Sequence, residues 1–434
     1  MIAGRAWVRG RLQPVEVGVD GDGWIREVGR SVRGVRRHDV GEGVLLPAAT
    51  DLHVHLREPG PSESGESIAT GTVGAALGGI GLVGEMPNTE PPTTSTERLE
   101  EKEDRVRGRA AVDVLLYAAP ADPRAVRSLG LRAGGFKLYL APTTGIDRAP
   151  TAGELSSVLA ELARFDLPVL AHAEAPELFR AGVRPTDPSA WDEARPVASE
   201  AAAVARLLDA PAAVRLHVAH VTTAPIGRAV AERGLSFEAT AHHLFLSHAS
   251  GPDARWKVNP PLRSETERAA LWEAFRRGDV PMLASDHAPH ARAAKDQPFE
   301  LAPSGVPGVQ TTLPLVLARV AQGEVDLEVV QRSACDRPAR FLGQPVGRLS
   351  PGHRANVLVV DFRRRRRIAG DRLSSPAGWS PFEGAEAVFP LEHWRDGERV
   401  VADGEYVGRP SGRVVRPEYA PGAVRPDRRR DEED

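Results

Sequence analysis

The sequence of 434 residues is 41% hydrophobic and 26% charged, enough for a barrel-sized core with a smaller appendage. Its 56 basic residues nearly balance 59 acidic ones, and the formal net charge of −3 does not favour nucleic acid as a partner. The first residues lack the apolar core of a signal peptide and no run approaches the roughly 20 apolar residues of a membrane span, so we expect a cytoplasmic protein with no membrane partner.

Short apolar, β-rich runs alternate with longer helical stretches from about residue 44. The runs predicted as strands are 44–56, 80–86, 112–118, 134–140, 167–174, 214–222, 236–244 and 280–287. Between them, segments such as 151–165 and 264–277 have helical spacing and begin at residues suited to N-caps. This repeated strand–helix alternation predicts an α/β fold, a (β/α)8 TIM-like barrel over residues 44–346, rather than a doubly wound sheet.

The two ends of the chain do not follow this alternation. Residues 1–43 and 347–408 contain short alternating runs with Gly-Asp and Asp-Gly turns, and we predict that they meet as one small β-sandwich domain. Residues 409–434 lack periodicity, so we expect a disordered tail. The arginine run 363–367 could bind RNA, but a solvated strand face is the favoured interpretation in a nearly neutral chain.

Lysine and cysteine are both scarce. Of the 56 basic residues only Lys102, Lys137, Lys257 and Lys295 are lysine. An arginine bias would replace lysine wherever only a positive charge is needed, so the retained lysines suggest a chemical role, although chance retention is favoured for Lys102. The single cysteine, Cys335, cannot form an internal disulfide and is expected to be a small buried residue.

Polar residues recur at the C-terminal ends of the predicted strands, the side on which barrel enzymes build active sites. His53 and His55 are two residues apart on the first strand and face the same side, so both imidazoles can reach one metal ion. Arg57 continues that face, with a surface ion pair to Glu58 or Glu63 as the alternative interpretation.

Lys137 lies within the apolar fourth strand, where an unpaired ammonium is costly. Its neutral amine could take up carbon dioxide and become a carbamate that bridges two cations, which an arginine could not do. The alternative is an ammonium that reaches the surface or pairs with a carboxylate.

The fifth to seventh strands supply further histidines. His172 ends the fifth, and the sixth offers His217 and His220, whose three-residue offset places them on opposite faces so that spacing alone does not choose between them. The adjacent His242 and His243 of the seventh are expected to pack in the core or to support the site.

The eighth strand ends in Asp286 and His287, with His290 just beyond. Asp286 is a candidate metal ligand and general base, and His290 lies in the loop where substrate would sit. The strand ends together predict a binuclear metal hydrolase site on one rim of the barrel.

These motifs make the sequence resemble the amidohydrolase superfamily and, within it, the longer bacterial dihydroorotases, over about residues 2–408. HLREPG, EMPNTEPPTT, KVNPPLR and SDHAPH carry the resemblance, GFKLYL is similar to the lysine-bearing kind of the animal multifunctional enzyme, and APSGVPGVQTTLP matches the family's flexible loop. The metal ligands implied by the resemblance are His53, His55, carbamylated Lys137, His172, His220 and Asp286. The implied substrate-binding residues are Arg57, Asn88, Asn259, His290, Pro307 and Gly308.

The resemblance also implies two Zn²⁺ ions bridged by carbamylated Lys137 and a hydroxide, with Asp286 as the catalytic base. The implied reaction is the reversible cyclisation of N-carbamoyl-L-aspartate to L-dihydroorotate in pyrimidine biosynthesis. An allantoinase or hydantoinase-like enzyme is the alternative, but those families match the motifs less well because their substrates lack the carboxylate that Arg57 would bind.

A non-catalytic scaffold for aspartate transcarbamoylase is the alternative from another class, and the filled ligand positions argue against it. We expect a homodimer that acts on a small-molecule substrate, and a complex of the enzyme with aspartate transcarbamoylase is compatible with the sequence.

Overall fold

A computed structural model describes residues 1–8, 11–34, 36–60 and 63–418, and it begins with strands of a sheet that both chain ends build. The first four strands are β1 (Ile2–Val8), β2 (Arg11–Val19), β3 (Ile25–Gly29) and β4 (His38–Pro47). Strands β1 and β2 form an antiparallel pair, and β4 lies parallel to β1.

The next eight strands form the predicted parallel barrel. They are β5 (Ala49–Val54), β6 (Ile80–Glu85), β7 (Asp113–Ala118), β8 (Gly135–Tyr139), β9 (Pro168–His172), β10 (Arg215–Val218), β11 (Ser236–Thr240) and β12 (Met282–Ala284). They pair in chain order from β5 to β12, and a parallel bridge between Val54 and His287 joins the first strand to the segment after the last. The predicted barrel is therefore confirmed.

Helices follow most of these strands and cover the barrel. They are α1 (Ile68–Leu77), α2 (Thr96–Val106), α3 (Pro123–Gly130), α4 (Ala152–Leu162), α5 (Pro188–Ala194), α6 (Val197–Leu207), α7 (Ala224–Glu232), α8 (Ala241–Phe245), α9 (Glu265–Arg277), α10 (Arg292–Lys295), α11 (Thr312–Ala321), α12 (Leu327–Val330) and α13 (Arg337–Phe341). None of the described helices is long and apolar enough to cross a membrane.

Local sequence explains where two of the predicted helices begin. Thr151 caps α4 and Ser264 caps α9, and each forms a capping box with the glutamate three residues later, Glu154 or Glu267. Each box satisfies backbone N–H groups that the first helical turn leaves unpaired. Gly278, with φ of 80°, then ends α9 in the left-handed conformation that suits glycine.

Seven further strands follow the barrel in the described part of the chain, and four of them complete the small sheet. They are β13 (Val357–Val360), β14 (Arg366–Arg367), β15 (Glu386–Ala387), β16 (Glu392–Arg395), β17 (Glu398–Ala402), β18 (Glu405–Tyr406) and β19 (Val414–Val415). One eight-stranded sheet runs in the order β18-β17-β16-β13-β4-β1-β2-β3, so both chain ends form one unit, as predicted. The arginine run 363–367 lies beside acidic side chains, since Arg363 pairs with Asp361 and Arg365 with Glu386.

Two predicted strands end or divide where the sequence did not indicate it. The run 44–56 is split, because residues up to Pro47 pair with β13 in the small sheet and only β5 belongs to the barrel. The run 236–244 ends at Thr240, whose hydroxyl accepts the backbone N–H of His243 and so starts α8. His242 and His243 are therefore helical, and both are buried.

The segment expected to begin a disordered tail is instead ordered as far as residue 418. Val414 and Val415 pair with Val114 and Leu115 of β7, and Arg413 forms an ion pair with Asp113. The two-residue strand β19 fixes this segment by pairing with the backbone at the N-terminal end of β7. The remainder of that prediction, residues 419–434, lies outside the described residues.

Candidate active site

One cavity of about 80 Å³ at the C-terminal ends of the barrel strands brings together all the predicted metal ligands. These residues are His53, His55, Lys137, His172, His220 and Asp286. Ligating atoms of His53, His55 and Asp286 lie within 4.8 Å of one another, a spacing that a single cation can span.

His53, His55 and Asp286 are oriented for a cation. Nδ1 of His53 is 2.5 Å from the Glu238 carboxylate and Nδ1 of His55 is 2.8 Å from the Asn88 amide oxygen, so both rings use Nδ1–H as a donor. Their Nε2 atoms then carry lone pairs and lie 3.2 and 3.1 Å from the same Asp286 oxygen. Because lone pairs and a carboxylate repel one another, this donor set fits a metal ion between them.

A second pair of imidazoles lies beside this group. His172 Nε2 is 2.9 Å from the Glu174 carboxylate, which leaves Nδ1 of His172 facing Nε2 of His220 at 2.9 Å. In the described part of the chain, Nδ1 of His220 has no hydrogen-bond partner. The structure thus places His220, rather than His217, at the cavity, which agrees with the choice implied by the resemblance.

Lys137 lies between the two groups of ligands. It is 1% exposed, and its Nζ is 3.1 Å from Nε2 of His53. Neither a surface-reaching ammonium nor an ion pair with a described carboxylate is found for it. Burial lowers the pKa of Lys137 to about 8, which favours the neutral amine that carbamylation requires.

Two glutamates that the sequence analysis did not single out hold the ligands in place. Glu238 contacts Nδ1 of His53 with one oxygen and lies 3.1 Å from Nε2 of His217 with the other. Burial alone would raise the pKa of Glu238, but His53 and His217 outweigh it and hold that pKa below its usual range. Glu174, which contacts His172, also accepts a hydrogen bond from Arg195 at 3.0 Å. Glu174 lies two residues after His172, and Glu238 lies within β11. Neither position is unusual enough in a sequence to identify a residue that supports a metal ligand.

Arg57 borders the cavity with a guanidinium that is not neutralised. Its Nε lies 3.3 Å from the Pro289 carbonyl oxygen and its Nη2 lies 3.1 Å from Nε2 of His290. No described carboxylate forms an ion pair with it, and Glu58, the suggested surface partner, pairs with Arg109 instead. The residue also has a left-handed backbone, with φ of 61°, as do His220 and Asp286 at 39° and 45°. Such strain at non-glycine residues is typical of functional sites.

The other predicted substrate-binding residues do not all line the same cavity. Asn88 and Asn259 line the cavity, where Asn88 orients His55 and Asn259 contacts the Ser304 hydroxyl at 3.2 Å. His290 lines an adjoining outer cavity of about 290 Å³, which Arg57 also borders.

Pro307 and Gly308 do not line the central cavity. They border a separate small cleft, where the Gly308 N–H donates to Nδ1 of His287 at 3.0 Å. The loop contributes Ser304, Gly305 and Val306 to the central cavity instead. Tyr139, Thr143 and Thr144 also line it and were not predicted, although Tyr139 shares a strand face with Lys137.

Comparison with known sequences places these residues in a family context. A family profile described as Dihydro-orotase-like matches residues 42–121. The chain is 37% identical over 381 residues to a dihydroorotase of Halobacterium salinarum, covering 86% of this chain and 89% of that protein. It is 35% identical over 416 residues to a dihydroorotase of Methanosarcina acetivorans, covering 89% of this chain and 88% of that protein.

Solved structures share the fold. The L-hydantoinase (dihydropyrimidinase) of Arthrobacter aurescens superimposes with a TM-score of 0.88 and 25% identity, covering 96% of this chain and 99% of that one. The D-hydantoinase of Bacillus sp. AR9 gives a TM-score of 0.86 at 22% identity, covering 96% and 98% of the two chains. The second likeness speaks for the fold alone.

Proposed function

The chain belongs to the dihydroorotase family of cyclic amidohydrolases, and from that premise we propose that it catalyses the reversible cyclisation of N-carbamoyl-L-aspartate to L-dihydroorotate. The observation that carries the proposal is the Arg57 guanidinium, which borders the cavity of the histidine cluster without a described carboxylate partner. A half-buried cation in that position is suited to a substrate that brings its own carboxylate, and dihydroorotate does so.

The metal ions belong to this proposal. His53, His55, His172, His220, Asp286 and a carbamylated Lys137 would hold two Zn²⁺ ions. Zinc supplies Lewis acidity at a carbonyl and lowers the pKa of water towards neutrality. The imidazole lone pairs directed at the Asp286 carboxylate support a cation in this place, since without one they would repel it.

Arg57 binds and orients the substrate in this proposal. Its planar guanidinium can donate two parallel N–H bonds to the substrate carboxylate, a geometry that lysine cannot reproduce. Asn259 and the loop residues Ser304 to Val306 border the same cavity and would enclose the ring. Binding the carboxylate at a fixed point places the scissile amide beside the histidine cluster.

Asp286 moves the proton. In the hydrolytic direction its carboxylate takes a proton from the attacking water and delivers it to the ring nitrogen that leaves. In the biosynthetic direction it accepts the proton from the attacking ureido nitrogen and returns it to the departing oxygen. A cation held by the Nε2 atoms of His53 and His55 would also fix the carboxylate, because these atoms lie 3.2 and 3.1 Å from the same Asp286 oxygen.

Glu238, Asn88 and Glu174 act on the ligands and not on the substrate. Each accepts a hydrogen bond from one imidazole N–H and thereby selects which ring nitrogen faces the cavity. A ring held in the wrong tautomer would present N–H instead of a lone pair. These residues therefore set the affinity of the site for its cations.

A hydantoinase-like activity is the second candidate, and the 25% identity and matching fold of an L-hydantoinase favour it. Hydantoins without a carboxylate would leave the Arg57 guanidinium unpaired beside the substrate, and an unpaired buried donor weakens binding. This difference makes dihydroorotate the better fit. The homodimer and the complex with aspartate transcarbamoylase remain predictions.

The deciding experiment assays the purified protein with dihydroorotate, allantoin and hydantoin in parallel and measures metal on the same sample. We expect dihydroorotate to have the highest kcat/KM, with zinc bound. A preparation that contains its full complement of metal and prefers hydantoin would refute the proposal. A preparation that binds metal and turns over none of the three would favour the scaffold alternative.

A further inference from the structure

Each of the four lysines of this arginine-rich chain is buried, and three of them lie away from the metal ligands. Lys102 is fully buried and pairs with Glu85 at 2.8 Å, so its charge is balanced by a carboxylate. Lys257 and Lys295 are 5% and 1% exposed, and no described carboxylate forms an ion pair with either. A buried ammonium without a counterion is costly, so its retention calls for a specific use.

Lys257 holds the first half of the loop between α10 and the cavity. Its Nζ donates to the carbonyl oxygens of Phe299, Glu300 and Ala302 at 2.7, 3.3 and 2.8 Å. The ammonium also lies 4.8 Å from the centre of the Trp191 ring, a favourable cation–π distance. Three carbonyls that converge on one nitrogen fold this part of the loop into a compact turn.

Lys295 holds the second half. Its Nζ donates to the carbonyl oxygens of Lys257, Pro303 and Gly305 at 3.1, 2.9 and 3.0 Å. The Gly305 N–H donates to the same Lys257 carbonyl at 2.9 Å. The ammonium of Lys295 therefore links the loop to the backbone of Lys257, and the two lysines form one connected set of bonds. We call residues 296–305 the clamped loop.

The clamped loop ends in the wall of the central cavity. Ser304 and Gly305 line that cavity with Val306, and the Ser304 carbonyl lies 2.9 Å from Nε2 of His290. Gly305 is tightly enclosed: a Cβ there would stand 2.6 Å from the Ala288 carbonyl oxygen, and its φ of 130° suits glycine. Gly305 is therefore closely packed in the cavity wall, and the bonds from Lys257 and Lys295 hold the loop in the shape that brings Gly305 there.

Arginine could not take over this task. Three acceptors around a single nitrogen suit the tetrahedral donors of an ammonium, whereas a guanidinium spreads its donors over a plane. This difference accounts for lysine at two sites in a chain that uses arginine almost everywhere else.

We infer that Lys257 and Lys295 are positioning residues for the substrate, because their ammonium groups hold the clamped loop in the shape that places Ser304 and Gly305 against the bound ring. The inference rests on the proposed function for the identity of that ring. It assigns neither lysine a contact with substrate or metal. Its consequence is that loss of either ammonium weakens substrate binding and leaves the metal site intact.

The test compares Lys257→Met and Lys295→Met with the parent enzyme. We expect KM for dihydroorotate to rise at least about fivefold in both variants, with kcat within about threefold and zinc per chain unchanged, since a contact made equally in ground and transition states affects KM. The matched control is Arg184→Met, which removes an exposed arginine that pairs with Glu300 of the same loop, and its KM should not change. A KM rise below about fivefold in either lysine variant, or a loss of zinc from either, overturns the inference.

A measurement on the parent protein keeps the inference testable if the variants do not fold. Hydrogen exchange of residues 296–306 should be as slow as exchange of the barrel strands, because the lysines hold the loop closed without substrate. Exchange as fast as in an open surface loop overturns the inference. If the parent acts on hydantoin instead, the proposed function fails, and the KM comparison is made with hydantoin.

Discussion

Nη2 of Arg57 lies 3.1 Å from Nε2 of His290, and the Ser304 carbonyl oxygen lies 2.9 Å from that same nitrogen. Burial and then the Arg57 cation lower the pKa of His290 to about 3, so its ring is neutral near pH 7. A neutral ring nitrogen cannot accept from Arg57 and donate to Ser304 at once. A substrate carboxylate that engages Arg57 would free His290 to donate to Ser304, which couples substrate binding to the clamped loop.

Substitutions at Asp286 and His290 should separate chemistry from binding. Asp286→Asn should abolish turnover even where some zinc remains, because an amide is a weak ligand and no base at neutral pH. His290→Asn should keep both metals, bind dihydroorotate more weakly and lose activity less completely. Metal analysis and steady-state kinetics of both variants test this contrast. A His290→Asn protein that lacks one metal would contradict the assignment.

Arg57→Met should lower kcat/KM for dihydroorotate by a factor that corresponds to about 2–4 kcal/mol of lost transition-state stabilisation. The reason is that the substitution removes the guanidinium that binds the carboxylate. Zinc content should stay the same, since Arg57 contacts no ligand. Arg109→Met is the control, as it removes an arginine that pairs with Glu58 outside the cavity. Loss of zinc with unchanged turnover per zinc would instead give Arg57 a structural role.

Lys137→Ala should lose both metal and activity. Short carboxylic acids added to this variant should restore part of each by occupying the place of the carbamate. Lys137→Arg should remain inactive because a guanidinium cannot supply a bridging carboxylate. Zinc content and activity are measured with and without the acid, and a fully active Lys137→Arg enzyme with two metals would exclude the carbamate.

His393, which lies away from the active site, should make the folding stability depend on pH. It is fully buried in β16, its Nδ1 lies 2.9 Å from the Ala76 carbonyl oxygen, and burial lowers its pKa to about 4. Between pH 6.5 and 4 the unfolded chain therefore binds a proton that the folded chain does not, and up to about 3 kcal/mol of stability is lost as the pH falls. Urea unfolding of His393→Asn across this range should show a shallower decline than the parent. An unchanged slope would contradict the assignment.

Asp113 links the barrel to both the small sheet and the C-terminal segment. It pairs with the buried Arg395 at 2.5 Å and with the half-exposed Arg413 at 2.8 Å. Asp113→Asn should lower the free energy of unfolding by about 3 kcal/mol, because it removes the nearer carboxylate partner of the buried Arg395 and leaves only Asp396 at 3.7 Å. Arg413→Met, which removes the half-exposed partner, should cost less than about 1 kcal/mol. Equal losses in the two variants would contradict this account.

Periodicity predicted the barrel and most of its site, because strand ends in a parallel barrel share one rim. Two-residue spacing correctly placed His53 and His55 together. The same reasoning could not separate His217 from His220, since His220 lies past the end of β10 with a left-handed backbone that no spacing rule describes. It also read His242 and His243 as strand residues, because a single Thr240 cap changes strand to helix there.

Contacts between residues that are far apart in the chain could not be predicted from the sequence. Glu238 supports His53 from 185 residues away, and neither residue carries a local sign of the other. The loop contacts were expected at Pro307 and Gly308, whereas the bonds made by Lys257 and Lys295 bring Ser304 and Gly305 to the cavity. Those bonds depend on how the loop folds, which composition and periodicity do not specify.

The burial of every lysine also determines how the folded protein meets reagents. Acylating labels, amine cross-linkers and amine-coupled supports react with accessible, unprotonated amines, and the lysines of this chain offer them almost no surface target. Mass-spectrometric footprinting with such reagents should therefore label almost no lysine until the chain opens. Each lysine that becomes labelled would then report the local opening of one identifiable part of the barrel.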